Sequence, residues 1–296
     1  MKKAFWQLHM AVFLAGFTAI LGKLILLSEG MLVWWRIFLT VLVLAGWLYF
    51  SRQLETVKGK PLLKIAGVGL IIALHWILFY GSIKYSTISV ALVCFSATGF
   101  FTAILEPLLL HKKVSWVELS LGLLSIAGIY IIFDFHPQFK TGIAFGLLSA
   151  VGSALFPIFN KQLLRSYKPA TLTLYELSGG LLLLTLLLPL YHIYFPANYY
   201  WPAATDWGWL LILSVFCTVL AFMMQLNALK KISAFTSNLT FTLEPLYGIV
   251  MAFIFFKEGA MLRKEFFIGL ALIALAVVLQ MILMWRARKA VSLSSL

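Results

Sequence analysis

Residues 231–277, KISAFTSNLTFTLEPLYGIVMAFIFFKEGAMLRKEFFIGLALIALAV, lie without gaps on residues 84–130, KYSTISVALVCFSATGFFTAILEPLLLHKKVSWVELSLGLLSIAGIY, at a shift of 147 residues. Eight of the 47 paired positions are identical. Apolar helices match by chance at some of them. The pairing of Lys84 with Lys231, Glu118 with Glu265 and Gly122 with Gly269 involves residue types that are sparse in these stretches, so the two read as copies of one ancestral unit. The consequence for the fold is one of parity. If each copy belongs to a unit with an odd number of membrane crossings, the two units enter the bilayer in opposite senses.

The rest of the chain supplies the crossings. Hydrophobic residues make up 62% of 296 residues, charged residues 11%, and mean hydropathy is +1.00. A soluble domain is about 45–50% apolar and about 25% charged, so an ordinary soluble enzyme, a disordered chain and a fibrous protein are excluded. Apolar runs fall at 4–27, 32–50, 62–83, 85–109, 116–134, 141–163, 172–195, 207–229, 233–256 and 264–285. Each is near the ~20 residues that a spanning helix needs. The first is too long for a signal peptide and is expected to remain as a helix. The third and fourth are separated only around Gly81, Ser82, Lys84 and Ser86, which predicts a very tight turn. The expected fold is an all-α integral membrane protein of ten transmembrane helices, built as two inverted five-helix repeats at 1–137 and 138–296. Inverted repeats can expose one central site to either side of a membrane in turn, which points to a transporter.

Orientation follows from the cations. With the N-terminus in the cytoplasm, Lys2, Lys3, Arg52, Lys58, Lys60, Lys64, Lys112, Lys113, Lys161, Arg165, Lys168, Lys230, Lys231, Arg286, Arg288 and Lys289 all lie inside. That excess predicts cytoplasmic N- and C-termini. Lys257, Arg263 and Lys264 run against it in the last outer loop. Residues 196–206 carry no Lys or Arg, and Tyr199, Tyr200, Trp201, Trp207 and Trp209 crowd there, as in an interfacial aromatic belt. The net charge of +13 is thereby assigned to topology, and no loop is long enough for a nucleic-acid-binding module. Cys94 and Cys217 sit within apolar runs as small buried hydrophobes, with neither metal-ligand spacing nor a disulfide framework.

Several segments resemble a known family. Lys230-Lys231-Ile232-Ser233-Ala234, then Leu243-Glu244-Pro245-Leu246-Tyr247, then Phe256-Lys257-Glu258 and Phe267-Ile268-Gly269 are similar to the EamA repeat of the drug/metabolite transporter superfamily. Arg36, in Trp34-Trp35-Arg36-Ile37-Phe38, resembles an early Arg of that family. The first copy departs from the pattern, with Thr98 in the place of Pro245 and His111 in the place of Glu258. The resemblance covers nearly the whole chain. It implies a bacterial inner-membrane exporter of amino acids or other metabolites, or a carrier of sugars, nucleotide-linked sugars or drugs.

An ionisable residue at membrane depth is expensive and usually faces protein or a watery cavity. Counting along the spans places His75, Thr98, Thr218 and Glu244 near mid-membrane, and these form the expected substrate site. Trp76, Tyr80 and Tyr247 are candidates for an aromatic wall that accepts an ammonium or stacks on a ring. Glu244 is a candidate ligand for a substrate amine or a proton carrier. Pro245 is expected to free the carbonyl of Phe241 by removing its helical partner. Protons are the candidate coupling ion. Arg36, near the outer end of its span, is read as an outer gate, a ligand for a substrate carboxylate or a residue snorkelling to the interface. Glu106, Asn160, Lys161, Gln225, Asn227 and Asn238 are candidates for an inner gate network. No catalytic motif, cofactor loop or metal-ligand set is present, so the chain is not expected to be an enzyme. ATP hydrolysis within it is excluded for want of a domain. The rival readings are an integral-membrane enzyme acting on lipid-linked substrates and a receptor-like structural protein.

Overall fold

The structure is a computed structural model that describes all residues except 1, 112, 136, 198, 233–236, 238, 239, 242 and 294–296. The helices are α1 (Lys2–Leu24), α2 (Glu29–Phe50), α3 (Lys60–Lys84), α4 (Ile88–Leu110), α5 (Trp116–Phe135), α6 (Lys140–Leu163), α7 (Pro169–Tyr194), α8 (Ala204–Leu229), α9 (Glu244–Phe256) and α10 (Lys264–Leu293). Among the described residues, α1–α4 and α6–α8 are long and apolar enough to cross a membrane, while the apolar helices Trp116–Ile132 and Glu244–Phe256 are shorter.

Two helices are interrupted. α4 consists of Ile88–Phe95 and Thr98–Leu110 with a turn at Ser96 and Ala97. α8 contains a π-helical segment, Val215–Leu220. The helical break in α4 lies, at the 147-residue shift, opposite Leu243 and Glu244, where α9 begins. Thr98 therefore marks the same helix restart in the first copy that Pro245 marks in the second. Within the expected span over 233–256, Ser237, Thr240 and Phe241 are helical, Leu243 is a turn, and a 13-residue helix starts at Glu244 with Pro245 in its first turn. There the missing N–H is one that no helix satisfies internally, and the break expected at the proline falls at the turn of Leu243.

The tight turn between α3 and α4 is Tyr85–Thr87, where the Thr87 hydroxyl accepts the Val90 N–H at 3.1 Å and caps α4. The start of α4 receives a second cap from far along the chain. The buried Glu258 carboxylate accepts the N–H groups of Ile88 (3.1 Å) and Ser89 (2.9 Å) and the Ser89 hydroxyl (2.7 Å). A carboxylate is favoured at a helix N-terminus by the unpaired donors and the helix dipole.

Loop contacts fix which connections share an end of the bundle. At one end Asp206, buried in the first turn of α8, accepts the Leu26 N–H from the α1–α2 loop at 3.0 Å. Lys84 donates to the Ile25 carbonyl at 3.2 Å, and Trp35 donates to the Tyr200 carbonyl at 2.9 Å. The aromatic loop thus folds over α2, with Trp35 against Trp201 and Trp207. At the other end Glu55 of the α2–α3 loop pairs with Lys168 and accepts the Thr171 hydroxyl. Lys168 and Thr171 hold the Glu55 carboxyl below the usual carboxylate range. Lys161 caps the end of α8 through the carbonyls of Leu229 and Ile232.

The helix pairings exchange with one another when the first five helices are swapped for the last five. α3 packs on α6 as α8 packs on α1; α3 packs on α7 as α8 packs on α2; α4 packs on α6 as α9 packs on α1. The pairs α2–α7, α4–α9 and α5–α10 map onto themselves. Backbone approaches closely at two of these interfaces. A Cβ on Gly69 would stand 1.8 Å from the Glu176 carbonyl oxygen, and one on Gly128 2.6 Å from that of Gly269. Lipid offers no hydrophobic drive between helices, so such contacts rest on close packing of small residues.

The arrangement makes a labelling prediction. Cysteine at Thr205, exposed beside the aromatic loop, should react with an impermeant maleimide added outside cells, and cysteine at Ser166, exposed between α6 and α7, should not. The reverse pattern would overturn the cytoplasmic assignment of the N-terminus. Cys94 and Cys217 are buried and contribute little background.

Candidate functional site

A cavity of ≈ 80 Å³ lies where the two sets of five helices meet. Its wall includes Ala15 and Thr18 of α1, Arg36 of α2, His75, Trp76 and Phe79 of α3, Phe95 of α4, Ser153 and Phe156 of α6, Cys217, Phe222 and Gln225 of α8, and Phe241 and Glu244.

Arg36 is the most constrained group in this wall. It is 2% exposed, so it does not snorkel to the interface, and it stands in the cavity wall. The reason is the π segment of α8. Arg36 Nη2 donates at 3.3 Å to the Cys217 carbonyl, which lies within that segment. Nε donates to the Thr218 hydroxyl at 2.9 Å, which itself donates to the Leu213 carbonyl at 2.8 Å. Nη1 donates to the Tyr80 hydroxyl at 2.8 Å. The guanidinium carbon lies 3.7 Å from the centre of the Trp76 ring, a cation–π arrangement strengthened by exclusion of water. A guanidinium has five N–H groups, so one on each terminal nitrogen is left over. The backbone is stitched as well: Thr40 donates to the Arg36 carbonyl at 2.7 Å and Ser214 to the same oxygen at 3.1 Å.

Glu244 stands across the same cavity at the start of α9, 5% exposed. His75 supplies a third polar edge. Its Nδ1 lies 2.8 Å from the Ser149 carbonyl, while the Ser149 hydroxyl donates to the His75 carbonyl at 3.0 Å. These bonds assign the proton to Nδ1 and leave Nε2 as an acceptor. The ring is stacked on Phe95 at 5.5 Å.

Of the expected substrate residues, His75, Trp76 and Glu244 line the cavity. Tyr80 and Thr218 are fully buried behind it and act by holding Arg36. Thr98 is not in the wall, because its hydroxyl is spent on the Phe95 carbonyl at the break in α4. Tyr247 is 41% exposed and meets Phe13 of α1 edge-on, so it belongs to the outer surface of the bundle. Among the expected gate residues, Arg36 and Gln225 line the cavity. Asn227 is exposed, outside the cavity wall, and bonds back to the Met223 carbonyl of its own helix. Glu106 is buried on α4 outside the cavity wall, and Pro245 opens α9. Asn160 is buried one helical turn beyond Phe156, and Asn238 lies outside the described residues. Sequence reasoning missed Phe79, Phe95, Thr18, Ser153 and the Cys217 carbonyl. The last is unreadable from residue types, since it depends on a π segment.

The EamA-like transporter family matches this chain twice, over residues 2–134 and 140–280. The chain belongs to the EamA-like transporter family. This EamA-like protein is thus a multi-pass membrane protein of a transporter family. It is 26% identical over 293 residues to the uncharacterized transporter YetK of Bacillus subtilis, covering 90% of this chain and 83% of YetK. It is 21% identical over 281 residues to an uncharacterized transporter of Clostridium kluyveri, covering 88% and 87%. An uncharacterized transporter of Archaeoglobus fulgidus is 28% identical over 123 residues, which is 40% of this chain and 44% of that one. A crystal structure matches with a TM-score of 0.69 at 15% identity, covering 97% of this chain and 99% of that one. At that identity the likeness concerns the fold.

Proposed function

We propose that this protein is a secondary transporter that exports a small zwitterionic metabolite, an amino acid or a close analogue, across a bacterial inner membrane. The observation that carries the reading is that Arg36 and Glu244, one from each half of the chain, line one small cavity with the Trp76 face beside them. The two spare N–H groups of Arg36 suit a carboxylate, which guanidinium binds with charge-assisted bonds. Glu244 suits the ammonium, and His75 Nε2 suits a polar side chain. The size supports small cargo. A drug-sized ligand occupies a pocket of about 300–1,000 Å³, well above the ≈ 80 Å³ here.

The mechanism in this reading is alternating access in ten spans arranged as two inverted repeats, 1–137 and 138–296, with both termini cytoplasmic. The breaks at Ser96–Ala97 in α4 and at the start of α9 occupy equivalent places in the two halves. Bending at one opens the cavity to one side, and bending at the other opens it to the other side. The cap on α4 from Glu258 and the cap on α8 from Lys161 close opposite ends of the bundle. An ion gradient or the substrate gradient drives the cycle, with the proton as coupling ion.

The variant Glu244→Gln tests the substrate class, since it keeps size and hydrogen bonding and removes the charge. A hydrogen bond to a charged group contributes about 1.5–3 kcal/mol, so exchange of a labelled amino acid in proteoliposomes should fall by about 10- to 100-fold. Exchange at the wild-type rate would remove Glu244 from the site.

A further inference from the structure

The floor of the cavity hides a second polar site. Phe156 of α6 and Phe222 of α8 meet with ring centroids 5.2 Å apart. One helical turn past Phe156, Asn160 is fully enclosed, and the Glu176 side chain of α7, equally enclosed, faces it. Among the described residues, neither oxygen of Glu176 and neither polar atom of the Asn160 amide has a hydrogen-bond partner outside the pair itself. Here α7 is drawn tightly against α3: a Cβ on Gly180 would stand 2.5 Å from the Gly69 carbonyl oxygen. Water has no part in that contact.

Two enclosed polar side chains with only each other to bond are costly unless a ligand completes them. An ionised Glu176 in this setting would be an uncompensated charge, with a penalty of several kcal/mol. It would also accept only, leaving Asn160 Oδ1 without a donor. The titratable groups on the helices around it are committed elsewhere. Lys161 of α6 is bonded to the end of α8, Tyr175 of α7 to the Glu55 carbonyl, Arg36 of α2 to Thr218 and Tyr80, and His75 of α3 to Ser149. α8 presents Gln225 to the cavity. One proton resolves the imbalance. With the acid O–H donating to Asn160 Oδ1 and the amide N–H donating to the other carboxyl oxygen, all four atoms have a partner. Divalent cations such as calcium and magnesium take six or more oxygen ligands, and two carboxylate oxygens with one amide oxygen fall short of that.

We propose that Glu176 and Asn160 form a proton-binding site beneath the cavity floor, loaded while α6 and α7 are both held on α3 as here and discharged to water when either helix leaves it. The proton binding stands on geometry alone. Its part in coupling rests on the transport reading above.

Infrared difference spectroscopy of the purified protein at neutral pH, in an Glu244→Gln background that silences the cavity carboxyl, tests the site without any cargo. The expected result is a protonated-carboxyl carbonyl band that shifts in heavy water, disappears on adding Glu176→Gln, and moves to higher frequency with Asn160→Ala as the amide bond is lost. If Glu176→Gln fails to fold, the Asn160→Ala shift still decides. Absence of the band, or a band indifferent to both substitutions, overturns the proposal. The coupling role is read separately in proteoliposomes containing the wild-type Glu244. There Glu176→Gln should keep amino-acid exchange and lose accumulation driven by a pH gradient, and retained pH-driven accumulation would overturn that role. Failure of the transport reading has a different signature, the absence of amino-acid exchange in the wild type with the carboxyl band intact.

Discussion

Arg36→Lys is expected to leave the protein folded and to stop transport. Lysine keeps the charge, but its ammonium is a point donor on a flexible stem, while the guanidinium is a planar fork that also stacks. The substitution therefore abandons the bonds to Thr218, Tyr80 and the Cys217 carbonyl, and the ring contact with Trp76. Removing one partner of a buried, hydrogen-bonded charge pair typically costs about 2–5 kcal/mol, a loss of about 30- to several-thousand-fold in binding. Exchange of labelled amino acid in proteoliposomes should fall below detection while size-exclusion behaviour in detergent stays that of wild type. Exchange within about threefold of wild type would mean that charge alone is read there and the fork is not used.

Gly69→Ala is the substitution expected to damage folding most. The added Cβ meets backbone, the Glu176 carbonyl at 1.8 Å and the Gly180 nitrogen at 2.9 Å. No side-chain rotation relieves a clash with backbone, so α3 and α7 must separate. Overpacking of a fitted core costs about 1–3 kcal/mol and sometimes more. In a membrane the displaced helices regain nothing from burying apolar surface. Detergent-extracted Gly69→Ala should yield little monodisperse protein and melt well below wild type. Gly46→Ala and Gly67→Ala are the controls, because a Cβ at either meets nothing within 4 Å and alanine favours a helix over glycine by about 0.5–1 kcal/mol. A wild-type melt for Gly69→Ala would show that the close contact of α3 and α7 is not needed.

Much of the fold was legible because its signals are long. Hydropathy marks the helices over some twenty residues at a time, and the repeat at 84–130 and 231–277 carries the relation between the halves. The short signals were less reliable. The tetrapeptide Leu-Glu-Pro-Leu occurs at 105–108 and again at 243–246. The first copy lies inside α4 with Pro107 in mid-helix, and the second opens α9 with Glu244 at the cavity. Local sequence does not distinguish them; the packing does. Thr98 was expected to face substrate because depth is readable and helix face is not, once a turn at Ser96 resets the phase of α4. For Arg36 the sequence left an outer gate, a substrate carboxylate and snorkelling open; its place in the cavity wall depends on partners from α3 and from the π segment of α8 that residue types do not reveal. His75, Trp76 and Glu244, read as substrate candidates, and Gln225, read as an inner-gate candidate, all line the cavity, as polar or amphipathic side chains within spans tend to face protein or a watery space.

The most direct test of the central claim, that the cavity reads both charges of a zwitterion, is counterflow in proteoliposomes. A panel of labelled amino acids identifies the exchanging compound. Unlabelled competitors are then its decarboxylated amine and its deaminated acid, which keep the side chain and remove one charge each. The expected result is saturable exchange of at least one amino acid, with both analogues weaker competitors by about tenfold or more, as loss of a charge-assisted bond requires. Equal competition by either analogue, or exchange of a sugar or a hydrophobic cation with none of any amino acid, would contradict the account.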